Sequence, residues 1–432
     1  MVGNNNLIHL AVNVGETDAE PIRDWKHKYK EGFKRDLLVS EMSCDGLLER
    51  ILKENSTAPT VDNEPYLDAI AYAPMWLQPL VFDNKLVDLT SLLQEKSITL
   101  IETIEGLEKD FFRNYLDYAA WVDMEEKRPG NTIHSRLMAL PGTHTGATLL
   151  FYRKDLLERI GAEMPTTWSE FNRLARELHQ IDPNVYGTVI CGKHKGQPPV
   201  TDWYARFASL GGKQLLGSML NKNLTSNACS EEGIKAYEYI AQLWEVMPND
   251  VMEYTTADCV KAMAKGKVAM AIGITSFAFP QGYYSKEMKD VIGVAPIPGA
   301  SKTYGVGYGG GWSLAIPKSA IDVEMSWKTI QLFSSKEFDK YRCMQYGTTP
   351  VRHSTTEDAE VIDKQPWVKV AGQVMDRAVA PEYFYLPEAA NIMQAVDNVL
   401  TKGLSQRQKA VEVMRAMDKQ VNWILKESGW QR

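Results

Sequence analysis

Short strand-like runs alternate with helical stretches along the whole chain, and this alternation limits the possible folds more than any other feature. Leu7–Asn13 alternates apolar and polar residues, and residues 68–72 and 136–141 are similar short runs. Between the last two runs, apolar residues recur at helical spacing over 105–122. Strands that alternate with helices predict an α/β fold.

The clearest predicted helix begins at a capping box. Thr167 is followed three residues later by Glu170, and Phe171, Leu174 and Leu178 then mark one apolar face. Further along, the same reasoning predicts helices near 234–244, 260–263, 392–400 and 410–426, and strands at 267–272 and 313–316.

Length and charge restrict the class of protein. A chain of 432 residues exceeds the usual size of a single core, so we expect two lobes. The net charge is −7, and the basic residues are spread among the acidic ones without forming a patch. Because nucleic-acid phosphates repel such a protein, no nucleic-acid partner is expected.

The sequence contains no obvious membrane or export signal. No stretch reaches the roughly 18 consecutive apolar residues that a spanning helix requires. The first residues lack the basic and apolar regions of a signal peptide. Two interpretations follow, a cytosolic protein or an exported one whose signal has been removed, and composition alone slightly favours the first.

No motif predicts a catalytic, cofactor or metal site. Gly305, Gly307 and Gly310 match G-x-G-x-x-G, but they lead into an apolar strand rather than a helix N-terminus. Elbow, P-loop and H-E-x-x-H motifs are absent, and His134 and His144 lack metal-ligand spacing. The five cysteines form no C-x-x-C pair, and we expect most of them to be buried apolar residues.

Aromatic residues near predicted strand ends are more informative. Tyr72 and Trp76 flank the end of one strand, and Trp203, Tyr204 and Trp312 lie near other loops or strand ends. Flat aromatic faces suit the C–H face of a pyranose. The alternative interpretation is that each of these side chains belongs to the core.

Several motifs resemble family 1 of the extracellular solute-binding proteins, the group that includes maltodextrin-binding protein. They are Leu140-Pro141, the Tyr-Arg-Lys-Asp-Leu run at 152–156, the Met-Pro-Thr-Thr-Trp-Ser-Glu-Phe run at 164–171, and shorter matches at 266–270, 310–318 and 350–352. The resemblance covers nearly the whole chain and is weakest over 17–60 and 101–135. At Thr275-Ser276 the chain departs from the family pattern, because many relatives carry a ligand-stacking Trp there.

The resemblance implies a two-lobed periplasmic-binding-protein fold with discontinuous lobes and a ligand cleft between them. The expected N-terminal lobe is 1–143 with 313–352, and the C-terminal lobe is 144–312 with 353–432. Crossover hinge segments are expected near 141–145, 310–313 and 350–354. Such proteins are exported, so the resemblance replaces the cytosolic interpretation with a periplasmic protein or cell-surface lipoprotein whose signal peptide is absent from this sequence.

The implied function is solute binding for an ABC importer. The ligand would be a sugar or oligosaccharide, captured by hinge closure and delivered to a membrane permease by a monomer without cofactor or catalysis. The expected ligand-binding residues are Asn13, Glu16, Thr17, Tyr72, Met75, Trp76, His144, Thr145, Asp202, Trp203, Tyr204, Thr275, Ser276, Tyr308, Gly310, Gly311, Trp312, Arg352, Tyr385 and Glu388.

Two alternatives stay open. A carbohydrate-active enzyme, either a glycoside hydrolase or a lyase, would also line a cleft with aromatic residues and would need two facing carboxylates, for which Glu16 and Asp202 are candidates. The same fold could instead bind a polyamine, phosphodiester or peptide. A polyamine site would contain several acids and a phosphate site a basic cluster, and the sequence shows neither.

Overall fold

A computed structural model describes most of the chain. The described residues are 6–13, 19–54, 66–95, 104–122, 136–193, 199–212, 215–217, 223–274, 284–301 and 304–431. The chain divides into two compact units, of which unit 1 comprises Met1–Thr145, Gly310–Val368 and Phe384–Pro387. Unit 2 comprises Gly146–Gly309, Lys369–Tyr383 and Glu388–Arg432.

Strands and helices alternate as the sequence predicts. The strands are β1 (Leu7–Asn13), β2 (Asp36–Met42), β3 (Ala69–Tyr72), β4 (Trp121–Val122), β5 (Arg136–Leu137), β6 (Leu140–Arg153), β7 (Tyr186–Val189), β8 (Val268–Ile274), β9 (Ile292–Pro296) and β10 (Gly309–Ala315). The helices of the first half are α1 (Ala19–Asp24), α2 (Lys26–Phe33), α3 (Cys44–Lys53), α4 (Leu77–Phe82), α5 (Thr90–Gln94), α6 (Ile104–Asp110), α7 (Arg113–Ala119), α8 (Lys154–Arg159), α9 (Trp168–Ile181) and α10 (Pro199–Ser209). Those of the second half are α11 (Glu231–Ala241), α12 (Thr256–Ala264), α13 (Lys286–Val291), α14 (Val323–Phe333), α15 (Lys336–Tyr346), α16 (His353–Thr356), α17 (Ala359–Lys364), α18 (Val368–Met375), α19 (Ala389–Ser405) and α20 (Ala410–Glu427).

The sheet of unit 1 is ordered β2-β1-β3-β10-β6. Strand β1 is parallel to both β2 and β3, whereas β10 is antiparallel to β3, with Ser313 opposite Tyr72. All residues of β1 after Leu7 are buried, although the sequence alternates in polarity. Burial on both faces is the usual condition of a strand in the middle of a parallel sheet.

An aromatic core joins the early and late parts of unit 1. Trp25, which lies between α1 and α2, meets Phe338 of α15 edge to face at a ring-centroid distance of 5.0 Å. Phe338 makes a similar 5.0 Å contact with Phe333 of α14. All three side chains are buried, so the return of the chain to unit 1 completes its core.

The strands of unit 2 pair around β6. Strands β8 and β9 are antiparallel to the second part of β6, and β7 is parallel to β8. Helix α9 packs on β7 and begins at the predicted capping box, in which Thr167 Oγ1 accepts from the Glu170 amide and the Glu170 carboxylate accepts from the Thr167 amide. The capping-box prediction is therefore confirmed.

Two local predictions were only partly right. The region of helical spacing over 105–122 contains helices α6 and α7, but it is interrupted at Phe111, whose backbone forms an antiparallel bridge with Arg352, and it ends in strand β4. The strand expected over 136–141 is divided into β5 and the start of β6. Leu137 pairs with Trp121, and the Met138 amide then donates to the Ala120 carbonyl, which separates the two strands.

Close packing requires the first glycine of the G-x-G-x-x-G match, and the other two lie in or beside a strand. A Cβ on Gly305 would lie 2.2 Å from the Pro298 carbonyl oxygen, and the Gly307 carbonyl accepts from the Val379 amide. Gly310 lies inside strand β10. The match therefore leads into a strand, as expected from the sequence, and not to a helix N-terminus.

Unit 1 extends beyond the predicted end of the first lobe. Residues 353–368 belong to unit 1, whereas the resemblance assigns them to the second lobe. Asp110 holds the start of this segment in unit 1, because its carboxylate accepts hydrogen bonds from the amide and hydroxyl of Ser354.

Two of the cysteines have the buried position that the sequence predicts for most of them. Cys259 and Cys343 are buried, and burial raises the pKa of both thiols above the ordinary value. Within the described ranges, no helix is long and apolar enough to span a bilayer. The same residues contain no group of three or more His, Cys, Asp or Glu side chains arranged to hold a metal ion.

The capping box gives a first prediction. Thr167→Ala removes the hydroxyl that accepts from the Glu170 amide, and we expect a loss of about 1 kcal/mol in stability. The melting temperature should fall by about 2–4 °C. Ser169→Ala is the matched control. Ser169 lies two residues further along α9, where its hydroxyl makes an exposed contact with the Tyr239 hydroxyl, and its loss should lower stability by less than about 0.5 kcal/mol. Equal melting temperatures for the two variants would contradict the assigned role of the cap.

Candidate functional site

The end of β3 carries the first candidate residue of unit 1. Tyr72 is the last residue of β3, and its hydroxyl donates to the carbonyl of Ala119 at the end of α7. The side chain is fully buried, and burial raises its pKa well above the ordinary value. Tyr72 is thus a neutral hydrogen-bonding group that fixes the position of α7 against the sheet.

Two candidate tryptophans lie together in unit 1. Trp76, in the turn that follows β3, meets Trp312 of β10 edge to face at a centroid distance of 6.2 Å and an angle of 84°. The Trp312 side chain is 1% exposed. Its indole Nε1 has no hydrogen-bond partner among the described residues. A buried donor without a partner costs free energy unless another group accepts from it.

The glycines that precede Trp312 have special backbone requirements. Gly311 has a φ of 129°, a conformation that glycine adopts far more readily than other residues. The Gly310 carbonyl accepts from the Tyr118 hydroxyl at 3.4 Å. Tyr115 and Tyr118 were missed at the sequence level, because their helical spacing is equally typical of a core face.

The Arg352 side chain is bound by other residues of unit 1. Its guanidinium forms an ion pair with Asp110 at 2.6 Å and donates twice to the Ser334 carbonyl, at 2.9 and 2.7 Å. The same group lies 3.9 Å from the centroid of the Phe111 ring. Its charge is therefore neutralised by a buried carboxylate, and ligand binding by Arg352 stays a prediction.

The remaining candidates of unit 1 are more scattered. Asn13 is buried at the end of β1, Met75 is partly buried in the turn with Trp76, and Tyr385 is partly buried in a short helical turn at Glu382–Tyr385. Asn13 and Tyr385 are each the last residue of their element, whereas Met75 is the middle residue of the turn Pro74–Trp76.

Three candidates of unit 2 lie on a helix rather than in a loop. Asp202, Trp203 and Tyr204 belong to α10, in which nearly every side chain is buried. The Trp203 indole donates to the Gly233 carbonyl at 3.0 Å and stacks on Phe207. The expected loop position was wrong because the described sequence from Pro199 is helical, and the satisfied indole gives Trp203 a core environment.

Asp202 belongs to a buried ion pair. It contacts Arg206 one turn later on α10, and the two side chains are 10% and 1% exposed. The Arg206 guanidinium also lies 4.5 Å from the Trp168 ring centroid. Burial lowers the pKa of Arg206 to about 9, so at neutral pH it stays protonated and balances the Asp202 charge.

Tyr204 and Tyr308 form an aromatic pair in unit 2. Their rings meet edge to face at 5.9 Å, and the Tyr204 hydroxyl donates to the Ala380 carbonyl at 3.3 Å. The Tyr308 amide donates to Thr148 Oγ1 at 3.1 Å. Glu388 accepts from the Trp430 indole at 2.9 Å. No local sequence pattern indicated the contribution of Thr148.

Some predicted site residues are not described. Glu16, Thr17, Thr275 and Ser276 lie outside the described residues, and only the backbone of His144 and Thr145 is described. For the remaining candidates, unit 1 brings together Trp76 with Trp312, and unit 2 brings together Tyr204 with Tyr308.

The fold and the strand-end aromatic residues define a two-lobed periplasmic-binding-protein class, and comparisons with solved structures agree. The maltose-bound protein MalE3 of T. maritima superimposes with a TM-score of 0.79 over 97% of this chain and 100% of that one, at 19% sequence identity. This likeness confirms the predicted fold class.

Sequence comparison then identifies the family. Residues 67–338 match the bacterial extracellular solute-binding protein family, which is more than half of the chain, and the chain belongs to that family. A mannitol-binding protein of Pseudomonas aeruginosa is 21% identical over 73% of this chain and 75% of its own length. An arabinooligosaccharide-binding protein of Bacillus subtilis is 22% identical over 55% and 54%. The matched regions thus span about half to three quarters of these relatives.

Family membership confirms two coarse predictions. The family consists of solute-binding proteins, so the function is binding rather than catalysis. It is also an extracellular family, which confirms export and rejects the cytosolic interpretation that composition slightly favoured.

The Asp110–Arg352 pair gives a second prediction. Burial disfavours ionisation of Asp110, but hydrogen bonds from Arg352 and Ser354 outweigh burial and lower the pKa of the carboxyl. A lowered pKa in the folded state stabilises the protein above the unfolded value of about 3.9, and this contribution is lost as the pH falls below it. Asp110→Asn should therefore cost about 3 kcal/mol at pH 7 and progressively less below about pH 4.

The control for this variant is Asp117→Asn, which breaks a more exposed pair with Arg113 on α7. It should cost under about 1 kcal/mol at every pH. Chemical denaturation at neutral and acidic pH measures both variants. A pH-independent loss in Asp110→Asn would contradict the role given to its charge.

Proposed function

We propose that this protein captures an uncharged sugar, oligosaccharide or sugar alcohol and delivers it to the permease of an ABC importer. The supporting observation is the neutrality of the described candidate site. Arg352 is paired with Asp110 and Asp202 with Arg206, each within its own unit. Breaking either pair to bind a charged ligand would leave a buried charge without a partner.

The groups that remain suit a polyhydroxylated ligand. Trp76, Trp312, Tyr204 and Tyr308 are the aromatic candidates, all of them buried in this structure, and the Trp312 indole is a donor without a partner among the described residues. Aromatic faces accept the C–H surface of a sugar, and a fixed donor orients one of its hydroxyl groups. The Gly310-Gly311 backbone would add main-chain groups, because glycine allows close approach.

The relatives support a carbohydrate or polyol rather than another solute. The ligands in the names of these proteins are mannitol, arabino-oligosaccharide and maltose, which are all uncharged and rich in hydroxyl groups. A polyamine would require several unpaired acids and a phosphodiester a cluster of unpaired bases. Among the described candidates that carry charge, Asp202 and Arg352 lie in ion pairs, and Glu388 accepts a hydrogen bond from an indole.

Binding would act through closure of the two lobes. A ligand that contacts both lobes gains interactions present only in the closed state, and it therefore shifts the population toward that state. The remaining candidate residues, including Glu16, His144 and Thr275, are proposed to complete the site. The permease would then recognise the closed form of a monomer in the periplasm or on the cell surface.

The sequence also left open a carbohydrate-active enzyme, and membership of a solute-binding family argues against it. Acid–base catalysis by Asp202 would require a carboxyl whose proton can be exchanged with the substrate. Asp202 instead lies in a buried ion pair with Arg206 on the same helix.

Ligand charge gives a third prediction. A thermal-shift screen should identify maltose, D-mannitol or a related neutral compound, because a ligand at about 100 times its Kd stabilises by about 2.7 kcal/mol. Its Kd should change less than about twofold between about 0.02 and 0.5 M NaCl, since no charge pairing is screened. Spermidine and glycerophosphodiesters serve as charged controls. A salt-sensitive Kd for one of them, with no shift from neutral compounds, would overturn the proposal.

The tryptophans give a fourth prediction. Trp312→Leu should weaken binding of the best neutral compound by about tenfold, through loss of stacking and buried area. Trp327→Leu is the matched control, because Trp327 is fully buried in the core of unit 1. Calorimetric titration and melting curves separate the two effects. If both variants lose stability but keep wild-type affinity, Trp312 belongs only to the core.

A further inference from the structure

One side chain of unit 1 contacts two distant chain crossovers. Gly310 and Phe384 are each the first residue of unit 1 after the chain leaves unit 2. The Tyr118 hydroxyl donates to the Gly310 carbonyl at 3.4 Å, and the Tyr118 ring meets the Phe384 ring at a centroid distance of 6.1 Å and an angle of 62°. Two crossover segments that are far apart in the sequence therefore share one contact.

Tyr118 is itself firmly held. It is 3% exposed and meets Tyr115 edge to face at 5.5 Å. The Tyr115 hydroxyl accepts from Ser313 Oγ at 3.2 Å, which connects α7 to β10. The next residue, Ala119, accepts from the Tyr72 hydroxyl and so connects α7 to β3. The end of α7 is thus fixed to two neighbouring strands.

The backbone beside this contact is unusually permissive. Gly310 and Gly311 lack side chains that would restrict them, and Gly311 adopts a φ of 129°. The hydrogen bond to the Gly310 carbonyl therefore adds a side-chain restraint at the start of strand β10, where two successive glycines have no side chains of their own to pack. At the other crossover, Phe384 is 1% exposed and is limited by packing instead.

We propose that Tyr118 is a positioning residue that couples the two crossover segments, so that Gly310 and Phe384 act as one anchor when the lobes close. This role rests on the proposed ligand-driven closure. Coupling reduces the number of conformations available to the unliganded protein. Less conformational entropy is then lost on closure, which improves ligand affinity without any direct contact to the ligand.

The test perturbs one crossover and measures the other by hydrogen exchange in the ligand-free chain. Phe384→Leu removes the ring contact, and amide exchange is measured over 310–315. Tyr118→Phe removes the hydroxyl bond to Gly310, and exchange is measured over 384–387. Because one interaction of this kind contributes about 1 kcal/mol, each variant should raise exchange at the distant segment by about fivefold.

The control is Tyr29→Phe, which removes another buried hydroxyl of unit 1, bonded to Thr329 at 2.9 Å. It should leave both crossover segments at the wild-type rate. Changes confined to the mutated segment would overturn the coupling, and so would an equal increase in the control. The exchange experiment needs no ligand. If the neutral compounds give no thermal shift while the coupling persists, the proposed function fails and the role of Tyr118 in joining the crossovers stands.

Discussion

The antiparallel pairing of β10 with β3 is the interaction on which the architecture of unit 1 depends. Leu314 and Ser313 align with Ala71 and Tyr72, which are more than two hundred positions earlier in the chain. Without this partner, β3 would present an unpaired edge. The pairing brings Trp312 beside Trp76. It also requires the chain to return to unit 1 from unit 2. The same strand pairing therefore explains why unit 1 is discontinuous in sequence and why its two tryptophans meet.

The buried charged residues have a different role from the ligand contacts that the sequence predicts for them. Arg352 and Asp202 look like ligand contacts in the sequence, but each lies in an ion pair with a partner from its own unit. Such pairs add little net stability compared with apolar packing, yet they are costly to break. A binding protein built this way would discriminate among ligands by shape and hydroxyl geometry rather than by charge.

Local sequence patterns predicted local structure well. Strand β1 and the capping box at Thr167 follow from spacing within a few residues, and both are confirmed. The division of the 105–122 helix was not predictable, because its cause is a bridge to Arg352, more than two hundred residues away. The same limit applies to the site. The aromatic residues on one face of α7 form the same sequence pattern whether they pack in a core or contact a crossover segment. Only the residues that Tyr118 contacts in the structure distinguish these two roles.

Small-angle X-ray scattering can test whether a neutral ligand closes the two lobes, if the whole chain is measured with and without the neutral compound that gives the largest thermal shift. If such a ligand closes the lobes, the radius of gyration should be smaller at saturating ligand, because the closed state is the one that the ligand selects. An unchanged scattering profile, at ligand concentrations where calorimetry shows full occupancy, would contradict it.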